Sequence, residues 1–227
     1  VTKVTVESGA TLMQIANTLF DKNIITNKQT FQLAMRLMGK ERKIPIGTFN
    51  LVNAESNYDI INQIIYGAPE IKKVRILEGW NINQIAGHIS KEMDLDSTKI
   101  IKLCNDSTFV RSNGVIGSSL EGYLFPDTYF FYVGDKPSSI LKHLIKMNES
   151  FWTKNHLMQS KKLNLSKHQI MTLASIIEGE AIYDSERAKI SAVYHNRLNI
   201  GMRLQADPTI QYIIPDSPRR LLNKDLK

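Results

Sequence analysis

The sequence predicts an α+β fold, and three observations carry that prediction. A strand–turn–helix pattern occurs three times before residue 100. In each copy the hydrophobic period switches from two to about 3.6 across a turn. Beyond residue 137 the pattern is helical almost throughout.

The first copy is Val4-Thr5-Val6, a Ser8-Gly9 turn, and an amphipathic helix carrying Leu12, Ile15, Ala16 and Leu19, with Thr11 as N-cap. A second helix is expected over 28–38, ended by Gly39 and a charged loop. The next copy runs through Gly47–Leu51 and Val52, a polar stretch at 53–57, then Ile60, Ile61, Ile64 and Ile65. The last is Val74-Arg75-Ile76-Leu77, a Glu78-Gly79 turn, then Ile82, Ile85, Ala86 and Ile89. Strand–helix–helix–strand is the plan of a small module, expected over residues 1–73, with a connecting strand–helix segment over 74–119. Within 90–120, Asp96, Ser97 and Thr98 cap a short helix, and Asn113-Gly114 and Gly117 mark turns. From Leu120 the chain turns aromatic, with Tyr123, Phe125, Tyr129, Phe130, Phe131 and Tyr132. Helices are then expected over 138–152, 166–181 and 186–200, in a mainly helical second domain spanning 120–227.

Composition is that of an ordinary folded protein: 42% apolar and 22% charged residues over 227 positions. The formal charge of +7 suits an anionic partner. Lysines and arginines are nevertheless scattered in pairs such as Lys72-Lys73, Lys161-Lys162 and Arg219-Arg220, without the basic stripe of a nucleic-acid binder. No apolar run approaches the roughly 20 residues of a membrane span. The chain starts at Val1, so a preceding anchor or signal is an expectation. Cys104 is the sole cysteine, which excludes an intrachain disulfide. The five histidines are dispersed, with no HExxH motif, so no metal site is expected. Phosphate loops and GxSxG elbows are absent, and no cofactor is expected.

Helix 166–181 is the most informative. Ser166 and Gln169 form a capping box. Ile170, Leu173, Ala174, Ile177 and Ala181 share one arc, Glu178 lies at its rim, and Glu180 projects to nearly the opposite side. The helix is apolar almost all round, so it is expected to be buried with a poorly solvated Glu. Burial of that kind keeps a carboxyl protonated and able to donate to a leaving oxygen. A structural Glu paired with Arg187, Arg197 or Arg203 is the competing reading. Two glutamates at i and i+2 cannot face one ligand, so the helix offers one acid/base carboxylate, not a pair.

Two further clusters stand out. EGYLFPDTYFF (121–131) sets Glu121 and Asp127 beside Tyr123 and other aromatics, the residue types of a sugar groove or of an aromatic core loop. ERAKISAVYHNRLNIGMRLQADPTIQY (186–212) is a helix ended by Gly201, then a polar loop with Gln205, Asp207 and Thr209.

Together with LASIIEGEA (173–181), these stretches resemble the endolytic murein transglycosylase, or YceG-like, family. The likeness is strong after residue 120 and weaker before it. It implies that residues 1–73 are LysM-like and that 120–227 are a C-terminally truncated catalytic domain. It also implies that Glu178 is the acid/base cleaving the β-1,4 bond between N-acetylmuramic acid and N-acetylglucosamine, leaving 1,6-anhydro ends. Glu121, Tyr123, Asp127, Arg187, Asn196, Gln205 and Asp207 are then expected to bind substrate or orient Glu178. Peptidoglycan strands and the wall-synthesis machinery are the implied partners. Location is implied at the bacterial inner membrane, facing outward, through an anchor absent from this chain. Gly179 departs from the Lys common in the family. A non-catalytic wall-binding module and a hydrolytic muramidase are the competing functions.

Overall fold

The structure is a computed structural model that describes all residues except Ser8, 53–55, 215–220, Asn223, Lys224, Leu226 and Lys227. The expected turn residue Ser8, part of the polar stretch 53–57, and the Arg219-Arg220 pair therefore lie outside the described residues. The fold is α+β, with two small antiparallel sheets among many helices. The chain divides into two compact units, 1–148 and 149–227.

In the first unit, β1 (Thr2–Val6) pairs antiparallel with β2 (Gly47–Leu51), in a register that sets Val4 opposite Phe49. Between them run α1 (Leu12–Asp21) and α2 (Lys28–Leu37), and α3 (Asn57–Tyr66) follows β2. Thr11, Asn27 and Ser56 cap these helices by accepting from the backbone N–H three residues on. The arcs read from the sequence point inward: Ile15, Ala16 and Leu19 pack with Phe31, Phe49, Ile60, Ile61 and Ile64.

A second core of the same unit is built on β3 (Ile71–Ile76) and β4 (Asp127–Tyr132), which pair antiparallel. The strand β4 is an addition to the sequence reading, which saw an aromatic cluster there. Its partner lies more than fifty positions upstream, and period-two alternation among six aromatic and polar residues is a weak local signal. Tyr129 and Phe131 face inward onto Val74, Ile76, α4 (Ile82–Met93) and α7 (Pro137–Phe151). The short α5 (Ser97–Cys104), capped by Asp96 as expected, and α6 (Ser107–Ser112) complete this core, which runs from Val74 to Ile145. The two small sheets are tied together at Thr48. Its backbone O accepts from Glu70 N at 2.7 Å, and its hydroxyl donates to Val133 O at 3.1 Å.

The second unit contains α8 (Lys154–Leu163), α9 (Lys167–Glu180), α10 (Asp184–Asn199) and α11 (Asp207–Ile213). The last of these is a helix where a polar loop was expected after Gly201; Pro208 in its first turn has the φ a helix start requires. The core here is small: Leu173, Tyr194 and Ala206, with Leu165, Ile176, Ile177, Ile190 and Leu204 against it. Among the described residues no helix is long and apolar enough to cross a membrane.

Candidate active site

Helix α9 begins as its sequence dictates. Gln169 N donates to Ser166 Oγ at 3.2 Å, and Ser166 N donates to Gln169 Oε1 at 2.8 Å. Its burial differs from expectation. Leu173 is the only buried residue of the helix, while Ala174 and Ser175 are exposed. Only one arc of α9 meets α10 and α11, so an all-round apolar sequence is not matched by all-round cover.

The two glutamates at its end have different surroundings. Glu180 Oε1 accepts a hydrogen bond from Tyr194 Oη at 3.0 Å, across to α10. This corrects the pairing with Arg187 or Arg197 entertained from sequence. Arg187 instead pairs with Asp184 at 3.2 Å, one helical turn away on an exposed face. Arg197 donates to Leu204 O, which fastens the loop between α10 and α11 back onto α10. Glu178 is half-buried, and among the described residues its carboxylate takes no hydrogen bond or ion pair.

Tyr194 is 5% exposed, and burial is the main cause that pushes its hydroxyl up to about 12. The hydrogen bond to Glu180 and that residue's charge add to the rise, as does Asp207, while Arg197 opposes it. These four groups thus share one electrostatic neighbourhood. In the sequence Tyr194 lies among the apolar residues Ile190, Val193 and Leu198; only the packing of α10 on α9 reveals what its hydroxyl holds.

The turn from α9 to α10 is held by Glu186, whose Oε2 accepts from Ile182 N at 3.2 Å and Tyr183 N at 3.1 Å. Gly179 faces α11 so closely that a Cβ there would lie 2.8 Å from Pro208 Cβ. Beyond Gly201, the loop reaches α11 through Gln205, a non-glycine residue at φ +53°. Such left-handed backbone carries strain and recurs where a loop must present a group in a fixed direction. Gln205 and Asp207 are exposed on either side of buried Ala206, and Asn196 is exposed on α10. In the second unit Gln205 and Asp207 flank the start of α11, whose Pro208 meets Gly179 next to Glu178, while Arg187 and Asn196 lie on α10.

Glu121, Tyr123 and Asp127 belong to the first unit. Glu121 Oε2 accepts from Ile82 N at 3.2 Å, at the start of α4. Tyr123 Oη donates to Ile116 O at 2.8 Å. Asp127 is exposed at the start of β4 and accepts from Thr128 N at 2.6 Å. Two of the three are engaged in holding their own unit together. Among the described residues, no three His, Cys, Asp or Glu side chains converge as a metal cage.

Comparison with known proteins adds to this geometry. The YceG-like family profile matches residues 4–227. A protein of Bacillus subtilis named endolytic murein transglycosylase is 31% identical over 240 residues, covering 99% of this chain and 66% of that protein. A Streptococcus pneumoniae protein of the same name is 26% identical over 238 residues, covering 92% of this chain and 42% of that one. The chain thus spans less than two thirds of the length of these curated relatives. A crystal structure of a yceG-like protein from Listeria monocytogenes matches with a TM-score of 0.63 at 27% identity, covering all of this chain and 79% of that one.

Proposed function

The chain belongs to the YceG-like family, and from that membership we propose that it cleaves peptidoglycan glycan strands internally, as an endolytic murein transglycosylase with Glu178 as acid/base. Glu178 in its protonated form donates to the oxygen of the β-1,4 bond between N-acetylmuramic acid and N-acetylglucosamine, and that C1–O4 bond breaks. The carboxylate left behind takes the proton from the muramoyl 6-hydroxyl, and O6 bonds to C1 to close the 1,6-anhydro ring. The proton ends where it started. Because the nucleophile belongs to the sugar, no second carboxylate is required, in contrast to hydrolysis by a carboxylate pair.

The observation that carries this reading is the division of labour on α9. Glu180 is committed to Tyr194, whereas Glu178 stands half-buried with its carboxylate uncommitted among the described residues. Gln205, Asp207, Asn196 and Arg187 are proposed as the polar groups that meet the sugars around it, and Glu121, Tyr123 and Asp127 as substrate contacts within the first unit. Residues 1–73 are proposed to act as a LysM-like module, with 74–119 connecting it to a catalytic domain over 120–227. The outer side of the bacterial inner membrane, near the wall-synthesis machinery, is the proposed location.

The test is digestion of purified peptidoglycan by the chain and by Glu178→Gln, with products read by mass spectrometry. Internal fragments ending in 1,6-anhydromuramic acid, lost in the variant, are expected. Reducing ends would instead identify a muramidase. Cleavage surviving in the variant would remove Glu178 from the mechanism. Wall binding without cleavage by either protein would favour the wall-binding module.

A further inference from the structure

The β3–β4 ribbon has two faces of different chemistry. One carries Val74, Ile76, Tyr129 and Phe131 into the core. The other sets Ile71 opposite Tyr132, Lys73 opposite Phe130, and Arg75 opposite Thr128. This second face is open: Ile71 is 55%, Phe130 59% and Tyr132 44% exposed, and Lys73 and Arg75 are exposed beside them. Among the described residues no ion pair joins Lys73 or Arg75 to a carboxylate. Two acidic groups at one end of the ribbon are otherwise engaged, and Asp127, at the other end, stands opposite Ile76 in the register of the core-facing side. Glu70 pairs with Lys3 at 2.8 Å, and Asp135 accepts from Tyr132 N at 3.0 Å.

We propose that this face binds a stretch of glycan strand, with sugar rings stacked on Phe130 and Tyr132 and the carboxylates of the strand's peptide stems held by Lys73 and Arg75. The proposal rests on the peptidoglycan reading above and adds to it a second contact with the polymer, in the first unit. Magnitude separates a sugar polymer from two other occupants. A stable protein partner needs roughly 800 Å² per side, more than three exposed apolar side chains on a two-stranded ribbon supply. Nucleic acid needs on the order of 6–10 phosphate contacts for strong binding, and two cations fall well short. A sugar polymer needs what is present. Flat rings meet the apolar C–H faces of pyranoses, and they are spaced about 6.8 Å apart as alternate residues of one strand. Two unpaired cations sit on the neighbouring strand for an anionic side branch.

Glu121 and Tyr123, in the aromatic cluster just upstream, are engaged within the unit. Phe130 and Tyr132 are the aromatics of that cluster that β4 turns outward.

The experiment is co-sedimentation with insoluble purified peptidoglycan. All proteins carry Glu178→Gln, so the polymer stays intact, and circular dichroism checks that each variant is folded. Phe130→Ala/Tyr132→Ala is expected to weaken binding roughly tenfold or more, since the apolar area that each ring covers against a sugar is lost. Phe130→Tyr/Tyr132→Phe is expected to bind as the parent does. Lys73→Ala/Arg75→Ala is expected to weaken binding at low salt and to converge with the parent at high salt. Equal sedimentation of parent and both alanine pairs overturns the proposal, as does failure of the parent to sediment. A change of oligomeric state in light scattering, with sedimentation unchanged, also overturns it and makes the face a contact between copies. Anhydro-ended products from the unsubstituted chain together with equal sedimentation would sink this face alone. Lost sedimentation in the alanine pairs without any cleavage would leave the face standing and sink the enzymatic reading.

Discussion

Gly179 on α9 and Pro208 on α11 approach so closely that a side chain on Gly179 has no room: its Cβ would lie 2.8 Å from Pro208 Cβ and 2.9 Å from Pro208 Cγ. The contact lies one residue past Glu178 and one residue past Asp207. It therefore sets the spacing between the proposed acid/base and the polar groups beyond it.

Substituting Gly179→Ala tests that spacing. In an open helix the change would add up to about 1 kcal/mol of stability. Here overpacking against a rigid proline ring costs about 1–3 kcal/mol and wins. Displacement of α11 by part of an ångström is expected to lower kcat by on the order of ten- to a hundredfold. Pro208→Ala in the same chain removes the Cγ and is expected to restore part of the rate. Equal kcat for Gly179→Ala and the parent would show that the spacing does not matter.

Tyr194→Phe removes the hydroxyl that serves Glu180 at 3.0 Å. The expected cost is about 1 kcal/mol from one lost hydrogen bond beside a carboxylate, read as a shift in the denaturant midpoint. Glu180→Gln is expected to keep cleavage within about tenfold, since the amide oxygen can still accept, whereas Glu178→Gln is expected to abolish it. The reverse ranking in a product assay would exchange the two roles.

Stability should fall at alkaline pH in both units. Burial is the leading cause that pushes Tyr129, Cys104 and Tyr194 up to about 12, with the charges of Asp127, Glu121 and Glu180 respectively in support. The neutral form is favoured by the fold, so each contribution is complete below the ordinary value, 9.0 for the thiol and 10.0 for the phenols. Each is lost as pH rises towards about 12. Denaturant midpoints measured from pH 8 upward are expected to drop across that window, alongside the rise in tyrosinate absorbance. A midpoint flat to pH 12 would contradict the assignment.

Cys104 is fully buried and its thiol resists ionisation. Alkylation by iodoacetamide is expected to be slow in the native protein and to become fast only on unfolding. Fast native labelling would mean that the α5 segment opens readily.

Glu121→Ala is expected to destabilise the first unit by about 1 kcal/mol, since its carboxylate serves the N–H of Ile82 at the positive end of α4. Thermal unfolding reads the loss. Substrate affinity measured alongside reads its proposed sugar contact, and unchanged affinity with lost stability would confine Glu121 to the structural role.

What the sequence determined by itself was local. Thr11, Asp96 and Ser166 announce their helices because a cap is a bond between residues two or three apart. The arcs Ile15–Leu19 and Ile82–Ile89 show their buried sides because helical period is written in adjacent residues. The long motifs from Glu121 onward carried the family. Only tertiary structure decided the rest. β4 exists as a strand because Ile71–Ile76 lies beside it, and that pairing is what turns Phe130 outward and Phe131 inward. Helix α9 is less buried than its composition promised because apolar residues are covered only where a neighbour meets them. Glu178 and Glu180 differ in surroundings because Tyr194, fourteen positions past Glu180, bonds to Glu180 and not to Glu178. Residues two apart on a helix look alike in sequence, and distant partners alone separate them.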